Sequence, residues 1–205
     1  MNSSNVSFTS KIKFIDGASF FKKSDKGQYI GYFHNEPNAI KCSNFYSEGI
    51  RTCTGGGIID AKGNALGFHY WDDKPNKTNF NNIVVKLFRW IPNADRGILI
   101  GSKDIGQYST EQFQRFKKVF NERLKHVTIF EKHKYINSGT NYHYDLKTDT
   151  WTLSTSISPK NKHYKYVQSI NDLKEAFENI KIAEGDELYI NGKQIKKEDA
   201  PEIFE

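Results

Sequence analysis

Short stretches of alternating or continuous apolar residues, separated by clusters of Gly, Asn, Asp and Lys, dominate this chain and predict a β-rich fold. Residues 11–16, with Ile12 and Phe14 on one face, and residues 28–33 predict two opening strands that pair with each other. Gly17-Ala18-Ser19 and the polar run from Lys22 to Gly27 separate them as turns, and Glu36-Pro37-Asn38 breaks the chain before a short irregular stretch. Residues 81–91, rich in Ile, Val, Leu and Phe and stopped by Pro92, predict a long strand. Residues 97–101 predict a strand continuous enough in Ile and Leu to be central. Helical spacing governs two segments. Ser109 and Gln112 have capping-box spacing ahead of Phe113, Phe116, Phe120 and Leu124, and residues 169–182 carry Ile170, Leu173, Phe177 and Ile180. Residues 126–134 and 141–156 return to strands, the latter interrupted by the turn Leu146-Lys147-Thr148-Asp149. Residues 187–196 form a last hairpin around Asn191-Gly192, before a frayed tail after Pro201.

One hairpin carries candidate chemistry. Gly55-Gly56-Gly57 leads into Ile58 and Ile59, the turn residues Asp60-Ala61-Lys62-Gly63-Asn64 follow, and residues 65–71 are again strand-like. With Ile59 opposite Ala65, Gly55 faces His69 and Cys53 faces Trp71. Cys53 and His69 then share a face as diagonal neighbours roughly 7–8 Å apart at the backbone. Gly55 and Gly57 leave that face bare, and a substrate could lie there. A bulge at the triple glycine would shift the register and separate the pair.

A thiol is mostly protonated at neutral pH, and an imidazole that takes its proton makes it a nucleophile. His69 is the candidate base for Cys53. The amides of Cys53, Thr54 and Gly55 are candidate donors to an oxyanion, and Trp71 with Asp72-Asp73-Lys74-Pro75 is a candidate pocket rim. The bland alternative makes Cys53 a small buried hydrophobe and His69 a satisfied strand histidine. Cys42 lacks such a setting and reads as structural, with no disulfide to Cys53 expected. His143, among aromatic neighbours, is a weaker pocket candidate.

Composition narrows the class. A chain of 205 residues suits one domain, 1–205, with 1–8 and 198–205 as expected disordered ends. Two cysteines are too few for a disulfide scaffold and suit a reducing compartment. The chain has neither a signal-peptide pattern nor a stretch of ~20 apolar residues. The expectation is a cytoplasmic protein, or one exported without a signal peptide into a host cytoplasm, with no membrane partner. The net charge of +6 is dispersed among acids, and Lys160-Asn161-Lys162-His163-Tyr164-Lys165 is the nearest approach to a cluster, so nucleic acid is not the expected partner. Phosphate-loop, His-x-x-x-His and Cys-x-x-Cys patterns are missing, and no cofactor or metal is expected.

Ser47-Glu48-Gly49-Ile50-Arg51-Thr52-Cys53, the glycine-rich strand, Asp60 and Leu66-Gly67-Phe68-His69 together resemble the active-site hairpin of the cysteine glutamine deamidases. That superfamily includes the chemotaxis receptor deamidase CheD and the cytotoxic necrotizing factor toxins. Ser47 stands where CheD-type chains carry a threonine six residues before the cysteine, and His69 follows Cys53 at nearly the CheD distance. The likeness is centred on residues 47–69 and extends more loosely to about 125, through Arg96–Ser102 and the helix that follows. It implies an α+β fold: two packed mixed or antiparallel β-sheets with flanking helices, a deamidase-like sandwich. It also implies a catalytic set of Cys53, His69 and Ser47, and hydrolysis of a glutamine side chain on a protein substrate, as in secreted effectors and toxins. A transglutaminase or cysteine protease using the same dyad, and a binding module without catalysis, are the alternatives.

Overall fold

The computed structural model describes residues 9–31, 38–72, 77–102, 107–132, 139–157 and 165–205. In chain order these form β1 (Lys11–Phe14), α1 (Gly17–Ser24), β2 (Gln28–Tyr29), β3 (Ala39–Lys41), β4 (Asn44–Ile50), β5 (Thr54–Asp60) and β6 (Ala65–Tyr70). Then come α2 (Lys77–Trp90), β7 (Ala94–Ser102), α3 (Gln107–Arg123), β8 (His126–Lys132), β9 (Thr140–Asp145) and β10 (Thr150–Ile157). The chain closes with β11 (Lys165–Tyr166), α4 (Ile170–Ala176), β12 (Phe177–Lys181), β13 (Glu187–Ile190) and β14 (Lys193–Ile195). One mixed sheet runs β14-β13-β1-β10-β9-β4-β2, with β11 beside the end of β10; the second runs β12-β8-β7-β5-β6-β3. This is the α+β, two-sheet architecture that the resemblance implied.

Alternation along the strands builds two cores. Ile12, Phe14, Phe45, Tyr142, Tyr144, Trp151 and Leu153 of the first sheet meet Ile59, Ile98, Ile100 and Phe130 of the second between the sheets. The intervening residues Ile58, Leu66, Phe68, Leu99 and Ile129 turn outward, against Ile83 and Leu87 of α2 and Phe113, Phe116 and Phe120 of α3. The central strands of the second sheet are therefore buried on both faces, which is why residues 97–101 read as continuously apolar. Each fully buried Phe or Leu contributes about 1.5–3 kcal/mol. The helical stripe of α3 packs where its spacing predicted, and the hairpin at Asn191-Gly192 forms with both residues at positive φ, 50° and 80°.

Several elements differ from the sequence expectation, each for a physical reason. β1 pairs in parallel with β10 and β13 rather than with the expected strand over 28–33; of its described residues 28–31, Gln28 and Tyr29 form a strand, against β4, and 32–33 lie outside the described residues. The expected turns between them are helix α1, capped by Asp16, whose Oδ1 accepts the Ser19 amide at 2.9 Å, and anchored by buried Phe20. Residues 81–91 are the body of a helix, not a strand. Phe80, Ile83, Val84, Leu87, Phe88 and Ile91 recur at three and four, a period hidden by the β-branched Ile-Val-Val run. α3 starts at Gln107, so Ser109 lies inside its first turn instead of capping it.

Helix α4 stops at Ala176, and residues 177–181 pair with β8. A register shift between Phe177 and Asn179 brings Phe177 and Ile180 to one core, so a helical spacing is satisfied in a bulged strand. The stretch before the Cys53 hairpin is β3 and β4 rather than irregular. The tail is docked, not frayed: the Ile182 amide donates to Ile203 carbonyl at 2.7 Å, the Glu205 amide to Ile182 carbonyl at 3.1 Å, and Ile203 is buried. Residues 1–8, the Glu36-Pro37 break, Asp73-Lys74-Pro75 of the expected rim and Lys160 to Tyr164 of the basic run lie outside the described residues.

Candidate active site

The hairpin adopts the register its turn predicts. Ile59 lies opposite Ala65, Gly55 opposite His69 and Thr54 opposite Tyr70, with no shift at the triple glycine. Asp60 organises the turn: its Oδ1 accepts the amides of Lys62 and Asn64 at 2.9 and 2.8 Å, and Gly63 supplies a φ of 79°. The ladder ends at Thr54 and Tyr70, so Cys53 and Trp71 stand just beyond it. Cys53 is buried in the inter-sheet core, whereas Trp71 is 44% exposed at that end.

His69 also turns into the inter-sheet space, where a residue of the opposite sheet meets it. Ser47 Oγ on β4 lies 2.7 Å from His69 Nδ1, with both residues fully buried. The serine hydroxyl donates to the Ile30 carbonyl at 2.6 Å, so its proton is committed there and its oxygen accepts from Nδ1–H. His69 is thereby held as the Nδ1–H tautomer, which makes Nε2 its basic nitrogen. Ser47 is a buried residue of strand β4 in contact with His69. The structure thus joins Ser47 to His69 across the two sheets and buries Cys53 in the inter-sheet core just past the end of the ladder, with no hydrogen bond between the Cys53 thiol and His69 Nε2.

The glycine face is not bare. A Cβ on Gly55 would stand 2.5 Å from Ile50 Cδ1 and 3.1 Å from Tyr142 Cε1, and one on Gly57 2.8 Å from Trp151 Cη2. Side chains of the opposite sheet fill the space that the sequence offered to a substrate, and the glycines admit them. The oxyanion assignment is also narrowed. The His69 amide donates to the Asn38 carbonyl at 2.9 Å, so its backbone faces β3. By alternation Gly55 then bonds toward β7 and Thr54 toward β6, which commits both amides to the ladders. The Thr54 side chain points to the helical side, where its Oγ1 accepts from Gln112 Nε2 at 3.2 Å. Cys53 is the first residue outside the ladder, so strand pairing does not engage its amide.

Burial dominates the electrostatics. It pushes the Cys53 thiol up to about 11, against smaller opposing effects from the Thr52 side chain and Arg51 amide, and pulls the His69 imidazole down to about 3. At neutral pH both are uncharged, so the resting site holds a thiol and a neutral base rather than an ion pair. Iodoacetamide reacts with thiolate, and its rate at Cys53 is expected to climb through the alkaline range toward about pH 11. Mass spectrometry of the labelled peptides checks this, and a plateau near neutral pH would contradict it.

Cys42 and Cys53 are both free thiols, and Cys42 Sγ donates to the Asn44 carbonyl at 3.2 Å. His143 faces away from the site, with Nε2 2.8 Å from Asn44 Oδ1 on the outer side of the first sheet. Among the described residues no group of three or more His, Cys, Asp or Glu side chains could hold a metal ion. No helix among them is long and apolar enough to cross a membrane.

Two contributors escaped the sequence. Tyr142 donates its hydroxyl to the Phe68 carbonyl at 2.6 Å and packs on Gly55, and the Ile30 carbonyl fixes the Ser47 proton. The strand alternation that places Tyr142 inward and His143 outward was legible, but which face met the hairpin was not. A backbone carbonyl leaves no trace in residue type. No protein-family model and no curated protein sequence matches this chain.

Proposed function

We propose that this protein is a cysteine-dependent protein glutamine deamidase. The observation that carries it is the 2.7 Å contact between Ser47 Oγ and His69 Nδ1. Ser47 was singled out only by standing six residues before Cys53, yet it meets the imidazole from the opposite sheet. A merely structural histidine gives no reason for that serine at that spacing.

The chemistry follows from the neutral pair. As Cys53 Sγ attacks the carboxamide carbon, His69 Nε2 takes the thiol proton and the Cys53 amide donates to the developing oxyanion. The imidazolium returns that proton to the departing nitrogen, the C–N bond breaks, and ammonia leaves a thioester. Nε2 then takes a proton from water, hydroxide attacks the thioester carbon, the C–S bond breaks, and sulfur regains the proton. Glutamine and water become glutamate and ammonia, with no redox change. The substrate approaches from the Trp71 end, since the glycine face is filled.

A diazoketone analogue of glutamine tests the site without a known substrate: sulfur displaces N2 at the diazo carbon after proton transfer, leaving a thioether. Labelling is expected at Cys53 and not Cys42, and is expected to fall about 100-fold in His69→Ala. A protein extract treated with the wild type, but not with Cys53→Ser, is expected to release ammonia and to show intact proteins heavier by about 1 Da. Cleaved fragments, incorporation of an added amine without ammonia-linked hydrolysis products, or labelling of Cys53 indifferent to His69 would overturn the proposal.

A further inference from the structure

We infer that the free edge of β3, with the basic groove beside it, docks an extended acidic segment of the protein substrate by adding it as a strand to the second sheet. Among the described residues β3 is the edge strand of that sheet and pairs only with β6. The Asn38 carbonyl accepts the His69 amide, so Asn38 and Ile40 turn their backbone groups toward β6, while those of Ala39 and Lys41 point outward. No backbone hydrogen bond from the described residues reaches that outward side. An edge of this kind offers alternating donors and acceptors at the spacing of another peptide chain.

The groove supplies the charge preference. It is a shallow, open groove of about 650 Å³ between Ala39, Ile40 and Lys41 of the edge and Arg89 and Trp90 at the end of α2. Trp90 is 39% exposed, and Lys86 Nζ sits 4.9 Å from its ring centroid. Lys41 Nζ donates to the Trp90 carbonyl at 3.2 Å. Helix α2 carries Lys77, Lys86 and Arg89 and no acidic residue, and no described carboxylate forms an ion pair with Lys41, Lys86 or Arg89. Cations alone would also suit nucleic acid. The outward amides and carbonyls of a sheet edge match a peptide main chain and not a sugar-phosphate backbone, and this decides for an acidic peptide.

The path is also directed. A segment lying along β3 past Lys41, Ile40 and Ala39 reaches Asn38, whose carbonyl holds the His69 backbone at 2.9 Å. The groove thus leads toward the strand that bears the candidate base. Its role in substrate choice rests on the deamidase proposal; its binding does not.

The test uses the full chain carrying Cys53→Ser, so that binding is read without turnover. The probe is a fluorescein-labelled peptide of about ten residues alternating Glu with Val and Thr, followed by anisotropy. The acidic peptide is expected to bind, and a version with Lys in place of Glu is not. Lys86→Glu with Arg89→Glu is expected to weaken binding at least about tenfold. Lys41→Pro, which removes the outward amide, is expected to weaken it about fivefold beyond Lys41→Ala. Thermal melts of each variant confirm folding. Equal binding of an oligothymidylate, indifference to the charge reversal, or identical affinities for Lys41→Pro and Lys41→Ala would overturn the inference. Peptide binding without diazoketone labelling of Cys53 would sink the deamidase proposal alone; labelling without peptide binding would sink the groove alone.

Discussion

Ser47→Ala is expected to slow His69-dependent labelling of Cys53 by about 10²–10⁴-fold and to destabilise the protein by about 2–4 kcal/mol. The two effects have one cause. The hydroxyl accepts from His69 Nδ1 and donates to the Ile30 carbonyl at 2.7 and 2.6 Å, in a fully buried setting. Alanine removes both bonds and admits no replacement, leaving a buried donor and a buried acceptor without this partner. It also releases the constraint on the tautomer, so that Nε2 is no longer the assured base. Ser47→Thr, which keeps the hydroxyl, is expected to recover most of the labelling rate. Urea denaturation reads the stability, and diazoketone labelling reads the site. Loss of stability with an unchanged labelling rate would reduce Ser47 to a core hydrogen-bonding residue.

A second large effect is expected at Gly56. Its φ is 139°, a region that side chains rarely adopt, and a Cβ there would overlap the Ile98 carbonyl oxygen and lie 2.9 Å from the Ile98 carbonyl carbon. These atoms are backbone of the neighbouring strand β7, so no side-chain rotation relieves the clash. Gly56→Ala is therefore expected to cost more than about 4 kcal/mol, or to prevent folding. Gly49→Ala is the control. It shares a positive φ, 68°, but nothing lies within 4 Å of its Cβ, and a cost of about 1–2 kcal/mol is expected. Equal stabilities of the two variants in urea would show that contact with β7 is not what requires glycine at position 56. The triple glycine is then a demand of close strand and sheet packing, and only indirectly of chemistry.

The hairpin was the most legible part of the fold because every determinant of it is local. The Asp60-to-Asn64 turn sets the register, and the register carries Gly55 to His69 without reference to the rest of the chain. The stripe of α3 was legible for the same reason. Residues 81–91 were misread where two local signals compete: β-branched composition argues for a strand, whereas spacing of three and four argues for a helix, and burial against the second sheet enforces the spacing. At Phe177 the spacing looked helical, but pairing with β8 and a bulge met it in a strand.

The sequence by itself determined the register of the hairpin that sets Gly55 opposite His69, since a short turn and side-chain alternation fix it locally. Only the tertiary structure decided what the Gly55 and His69 face of that hairpin meets. The opposite sheet fills the glycines with Ile50, Tyr142 and Trp151, brings Ser47 to His69, and buries both ionisable groups enough to keep them neutral. Those outcomes depend on how two sheets, formed from strands distant in the chain, stack face to face, and no local propensity encodes the partner across the gap.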